Sequence, residues 1–116
     1  MLLYSAATMF NNLTITTAGK QMKFDETDQT NVSGTLTLTG GDCTTGRILL
    51  DSNVNDNQWD INATGSTSIS YVDVEDSNAV TALTASNSTQ DNLGNSNWTV
   101  NAGACSGAGR RIIIVN

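Results

Sequence analysis

Short alternations of apolar and polar residues run along the chain, and polar turn residues separate them. The apolar positions predict strands at residues 13–15, 22–24, 36–38, 48–50, 59–61, 69–74, 80–85, 98–100 and 112–115. The intervals between them are rich in Gly, Asn, Asp and Ser, which are turn-forming residues. No window repeats apolar residues at the helical spacing. The pattern therefore predicts an all-β fold.

A longer period overlies the alternation. Two series of apolar positions recur at similar steps, of 23, 23 and 22 residues in the first and 26, 24 and 26 in the second: Ile15, Leu38, Ile61 and Leu83, and Phe24, Leu50, Val74 and Val100. Such steps are typical of a solenoid in which each coil contributes two strands and neighbouring coils stack. We therefore expect a parallel β-helix of about four coils.

An antiparallel β-sandwich is the alternative, because the number and length of the strands fit it equally well. The chain contains no Asn-Gly or Asp-Gly pair, which are the usual two-residue hairpin turns, and this favours the β-helix. In either fold, the alternation at 35–39 places Leu36 and Leu38 inside and the three threonines outside.

Composition and charge narrow the function. The 116 residues fit one domain, and Thr, Asn and Ser supply 42 of them, which is common in secreted β proteins. The net charge of −6 argues against nucleic acid and anionic membranes as partners. No apolar run approaches the about 20 residues of a membrane-spanning helix. We therefore expect an extracellular or cell-surface protein without membrane insertion.

Several segments occur in an order that resembles a repeat unit of large secreted bacterial surface proteins. They read NLTI at 12–15, VSGTLTLTG at 32–40, WDI at 59–61, ISYVDVEDSN at 69–78, and NST followed by NSNW between 87 and 98. The resemblance covers residues 10–100, and 1–9 and 101–116 lie outside it as terminal caps or pairing strands. It implies a right-handed parallel β-helix and a structural or adhesive role, with the parent surface protein or copies of the chain as partners.

Acidic and amide side chains make two candidate calcium sites. Asp51, Asn53 and Asn55 alternate as in a calcium loop, but the Gly and Glu that complete an EF-hand are missing. Asp73 and Glu75 share one face of a predicted strand. Solvated turns and a wet strand surface explain both clusters more simply. Calcium stays a possible ion at these two clusters, and we expect no other cofactor.

Trp59 and Trp98 are candidate platforms for a glycan, which would make the chain a carbohydrate-binding module with calcium nearby. Each lies in an apolar alternation, so a core position is the simpler interpretation. We expect no enzymatic activity. The chain has no His, the commonest general base, and with many Asp residues a pair of carboxylates at glycosidase spacing arises by chance.

Cys43 and Cys105 are too far apart in sequence for a metal or redox motif, and they form either one disulfide or two thiols. The end of the chain carries Ile112, Ile113, Ile114 and Val115 after a basic pair. This apolar segment either caps the core or pairs with a second copy by adding a strand. The second arrangement predicts end-to-end self-assembly into filaments.

Overall fold

The computed structural model describes residues 2–3, 8–90 and 94–106. Nearly all regular structure in these ranges is β-strand. The strands are β1 (Leu2–Leu3), β2 (Met9–Phe10), β3 (Leu13–Ile15), β4 (Gln21–Phe24), β5 (Gln29–Val32), β6 (Leu36–Thr39), β7 (Ile48–Ser52), β8 (Trp59–Ala63), β9 (Thr67–Ser70), β10 (Val72–Val74), β11 (Ser77–Ala85), β12 (Thr89–Gln90) and β13 (Ser96–Val100). One 3-10 helix, Gly103–Cys105, follows them. Within the described ranges no helix is long and apolar enough to cross a membrane.

The strands form three separate sheets, and all pairs of neighbouring strands run parallel. The first sheet has the order β1-β4-β7-β10-β12, the second β13-β11-β8-β5-β2, and the third β3-β6-β9. Up to β9 the chain visits the first, second and third sheets in turn, so partners in a sheet are three strands apart in sequence. Each sheet therefore receives its strands from distant parts of the chain.

One core cluster joins the three sheets. Alternate residues of β4, β6, β7 and β8 enter it, because side chains of a strand point to opposite faces in turn. Leu36 and Leu38 are buried as predicted, while Thr37 between them is half-buried. The rings of Phe24 in the first sheet and Trp59 in the second stack with their centroids 3.9 Å apart and their planes 10° apart. The stack links two sheets across the interior.

The three-sheet arrangement corrects the predicted fold class. The right-handed parallel β-helix of about four coils, with two strands per coil at one repeated step, is wrong. Ile15 pairs with Leu38 as the period required, but Leu38 pairs with Ile69 and not with Ile61, which belongs to the second sheet. Partner residues lie from 15 positions apart, at Leu83 and Trp98, to 31 apart, in the pairing of β5 with β8. Loops of unequal length between the sheets prevent a single step.

The antiparallel β-sandwich is also wrong, because all the pairings between described strands are parallel. The predicted strand at 69–74 is divided between two sheets. Tyr71 has a φ of 53° and separates β9 from β10 there. The strand Gln29–Val32 was missed, because Thr30 takes an inward position where the pattern required an apolar residue.

Candidate functional site

Hydroxyl groups cover the outer surface of the third sheet. Thr14, Thr37 and Ser68 are register partners on its three strands, and Thr39 pairs with Ser70. Neighbouring alternate positions, all exposed, continue the pattern. We call the surface formed by the following eight residues the hydroxyl face: Thr14, Thr16, Thr35, Thr37, Thr39, Ser66, Ser68 and Ser70. None of the eight is charged or aromatic.

The hydroxyl groups of this face have no hydrogen-bonding partner within the part of the chain that the structure describes. Within the described ranges the side chains of Thr14, Thr37, Thr39 and Ser68 make no hydrogen bond to another protein group. Each hydroxyl can donate one hydrogen bond and accept two. Their hydrogen-bonding capacity is therefore available to solvent or to a ligand on the outer side of the sheet.

The outer surface of the second sheet differs, because several of its polar side chains bind one another. Asn78 Nδ2 donates to Asp60 Oδ1 at 3.1 Å, and the two residues are register partners. Thr81 Oγ1 donates to Asn62 Oδ1 at 2.7 Å. These contacts use part of the polar capacity of the second sheet, so it offers less to a ligand than the hydroxyl face does.

The outer surface of the first sheet is charged and also internally paired. Lys23 Nζ donates to Asp51 Oδ2 at 2.7 Å, which is the ion pair of two register partners. Arg47 Nη1 donates to Thr89 Oγ1 at 2.7 Å, and that hydroxyl donates to Asp73 Oδ1 at 3.0 Å. This chain of contacts explains why Asp73 is only 8% exposed, although the sequence placed it on a wet strand surface.

The five predicted calcium ligands are not assembled into one site. Asp51 is held by its ion pair, and Asn53 Oδ1 accepts a backbone N–H at 2.9 Å. Asn55 Nδ2 donates to the neighbouring carboxylate at 3.1 Å. Asp73 is bound by a hydroxyl, and Glu75 is half-buried at the end of β10. In the described part of the chain no three His, Cys, Asp or Glu side chains form a group that could hold a metal ion.

Neither tryptophan is an open platform. Trp59 is completely buried, and its Nε1 donates to the backbone oxygen of Glu75 at 3.0 Å. Its assignment as a ligand-binding residue is therefore wrong, because no surface of the ring is left for a sugar. Trp98 is half-buried against the core, and its Nε1 donates to Ser77 Oγ at 2.9 Å.

Cys43 and Cys105 are joined by a disulfide, with their Cα atoms 5.1 Å apart. The bond connects the loop between β6 and β7 to the 3-10 helix that follows β13. It therefore links the middle of the chain to the last described segment.

Asp42 organises the loop that carries Cys43. Its Oδ1 accepts the backbone N–H of Thr44 and of Gly46, both at 2.9 Å, and the Thr44 hydroxyl at 3.1 Å. These bonds favour the ionised form, and the Thr44 N–H contributes most to lowering the pKa of Asp42 below its ordinary 3.8. The pKa of Asp25 is lowered in the same way, first by the hydroxyl of Thr27.

The predicted assembly segment Ile112, Ile113, Ile114 and Val115 lies outside the described residues. Near the other end of the chain, β2 and β3 are edge strands: each has a neighbour on only one side among the described strands of its sheet. Met9 is 69% exposed, and Leu13 and Ile15 are only half-buried against the core.

Sequence reasoning placed the threonines at 35–39 outside but did not identify the hydroxyl face. The signal was present, because 14–16, 35–39 and 66–70 each carry hydroxyl residues at alternate positions. What the sequence lacked was the register that aligns these three segments, which the pairings of β3, β6 and β9 supply.

No family model, curated protein or solved structure matches the chain. The resemblance to repeat units of secreted bacterial surface proteins therefore stays a prediction.

Proposed function

We propose that the chain is an extracellular structural or adhesive module that attaches through its hydroxyl face. The observation that carries the proposal is the set of hydroxyl groups that are aligned in register and make no hydrogen bond within the described protein. Several polar side chains on the other two sheets form contacts among themselves, and charged groups lie among those of the first sheet. The hydroxyl face is thus the surface that best fits an uncharged, hydrogen-bonding partner.

The core supports a passive, mechanical role for this surface. Leu36, Leu38 and Ile69 lie directly beneath the face and are at most 5% exposed. Their packing fixes the backbone of the third sheet, so the hydroxyl groups keep their relative positions without a ligand. Such preorganisation reduces the loss of conformational entropy on binding.

Enzymatic activity is not part of the proposal. A serine or threonine hydroxyl is a weak nucleophile unless a general base activates it. The hydroxyl face contains no carboxylate, amine or imidazole among its eight residues. Its hydroxyl groups therefore act as hydrogen-bonding groups.

The disulfide and the composition support an extracellular location. Disulfides persist in oxidising compartments and are rare in the cytosol. The disulfide Cys43–Cys105 and the high content of Thr, Asn and Ser both fit secretion. The net charge of −6 still argues against nucleic acid as a partner.

Adsorption to insoluble neutral polysaccharides tests the adhesive function. The purified chain is sedimented with cellulose or chitin, and the variant Thr14→Val/Thr37→Val is compared with Thr84→Val/Thr99→Val. Thr84 and Thr99 are exposed register partners on the second sheet, so they are a matched control. We expect the first variant alone to lose retention. Equal retention of both variants would refute a role for the hydroxyl face.

End-to-end assembly of copies is a second part of the proposal. The half-buried Leu13 and Ile15 and the exposed Met9 favour addition of an apolar strand at this end of the sheets. Deletion of residues 112–116 is expected to reduce the size of concentrated samples in light scattering. An unchanged size would remove the pairing role of that segment.

A carbohydrate-binding module with a tryptophan platform is not favoured by any contact described above. Binding on a glycan array that disappears in Trp98→Ala, with the fold intact, would restore that alternative.

A further inference from the structure

We propose that the hydroxyl face binds ice, so that the chain adsorbs to the surface of growing ice crystals. This inference rests on the proposed function, because it assumes that the hydroxyl face is the contact surface. It adds the identity of one solid that the face fits, which is crystalline water.

The first support is the regular spacing of the hydroxyl groups. Thr14, Thr37 and Ser68 are register partners on adjacent parallel strands, which lie about 4.8 Å apart. Along β6, Thr37 and Thr39 are two residues apart, which is about 6.6 Å in a parallel strand. The two repeats are nearly perpendicular and lie close to repeats of water oxygens in hexagonal ice. A face with this lattice can hold several waters in ice-like positions together.

The second support is that the face is free to order water. The hydroxyl groups of Thr14, Thr37 and Ser68 have no protein partner in the described ranges, so water satisfies them. Threonine is stiff at χ1 because of its branched Cβ, so its hydroxyl and methyl groups keep fixed positions. Waters bound to such groups lose less freedom when ice grows around them than waters on a mobile surface would.

The third support is what the face lacks. Its eight residues include no charged group, around which water would be oriented radially and not in a lattice. They also include no aromatic ring on which a small soluble ligand could stack. A sheet surface is not the concave pocket that encloses small molecules. An extended solid is therefore a better fit than a soluble ligand.

Partition into ice tests the inference. A dilute solution of the full chain is frozen slowly around a cold finger, and the protein concentrations in ice and liquid are compared. We expect the wild-type chain to be enriched in the ice fraction. Thr37→Lys places a charged side chain at the centre of the face. We expect it to lower the ice-to-liquid concentration ratio about tenfold, a change in binding free energy equal to that of one or two hydrogen bonds.

Two further variants complete the experiment. Thr14→Lys perturbs the same face from the edge strand β3, and it should reduce partition even where substitution at Thr37 impairs folding. Thr84→Lys on the second sheet is the matched control and should partition like wild type. Circular dichroism confirms that each variant is folded. Exclusion of wild type from ice, or an equal loss in the control, would overturn the inference.

The polysaccharide experiment separates this inference from the proposed function. Retention on cellulose or chitin together with exclusion from ice would refute ice binding and leave the adhesive module intact. Absence of both would refute the hydroxyl face as a contact surface.

Discussion

Replacement of Trp59 is the sharpest test of the core that links the sheets. Trp59 is completely buried, stacks on Phe24 with centroids 3.9 Å apart, and donates a hydrogen bond of 3.0 Å to the backbone oxygen of Glu75. Truncation of a buried Trp to Ala costs about 3–5 kcal/mol, because the buried apolar surface is lost and the cavity left behind adds a further cost. We therefore expect Trp59→Ala to lower the free energy of unfolding by about 4 kcal/mol.

A second variant at Trp59 separates the ring from its hydrogen bond, and a variant at Trp98 gives the cost at a less buried ring. Trp59→Phe keeps an aromatic ring beside Phe24 but leaves the Glu75 oxygen without its donor, so we expect a smaller loss of about 1–2 kcal/mol. Trp98→Ala removes a half-buried ring, and we expect a loss of about 2 kcal/mol. A domain of this size has a total stability of about 5–15 kcal/mol, so these differences are large enough to measure.

Urea unfolding followed by circular dichroism measures the three variants. In parallel, Trp98→Phe leaves Trp59 as the only fluorescent tryptophan, and its emission should be poorly quenched by acrylamide while the protein is folded. A loss below about 1 kcal/mol for Trp59→Ala, or ready quenching of Trp59, would contradict the buried stack.

The remaining predictions concern the disulfide, acid stability and one ion pair. Cys43→Ala/Cys105→Ala should lower the free energy of unfolding by about 4 kcal/mol, because the bond closes a loop over 62 positions; equal urea midpoints with and without the bond would contradict this. The lowered pKa of Asp42 contributes stability above its unfolded value of 3.8, and that stability is lost as the pH falls through the lower folded pKa. As the pH falls, the temperature of thermal unfolding should therefore decrease less in Asp42→Asn than in wild type. Identical decreases in the two proteins would argue against a stabilising role for the Asp42 carboxylate. Lys23→Ala should cost less than about 1 kcal/mol in urea unfolding, because the lysine is 39% exposed; a larger loss would indicate a stronger ion pair.

Local structure followed well from the sequence. The strand Leu13–Ile15 was predicted with its observed bounds, and the inward positions of Leu36 and Leu38 were confirmed. These successes share a cause, because alternation of side chains is a property of a single strand and needs no partner. The missed strand Gln29–Val32 shows the limit, since Thr30 is buried at an inward position that apolar alternation does not mark.

The candidate site was less accessible from the sequence. The disulfide was left open there, and the structure joins Cys43 to Cys105. Sequence position suggested a wet carboxylate at Asp73, yet Thr89 from another strand binds it. Residues that meet across a sheet are many positions apart, so their contact depends on register and not on sequence proximity.

By itself, the sequence determined that the chain is all-β, that its strands are short, and which side of most strands is apolar. Only the tertiary structure decided that there are three parallel sheets, that Tyr71 divides one apolar run between two of them, and that Thr14, Thr37 and Ser68 align. The physical reason is the range of the interactions. Alternation acts between neighbouring residues, whereas parallel pairing depends on loops whose lengths and left-handed corner residues differ at each crossing from one sheet to the next.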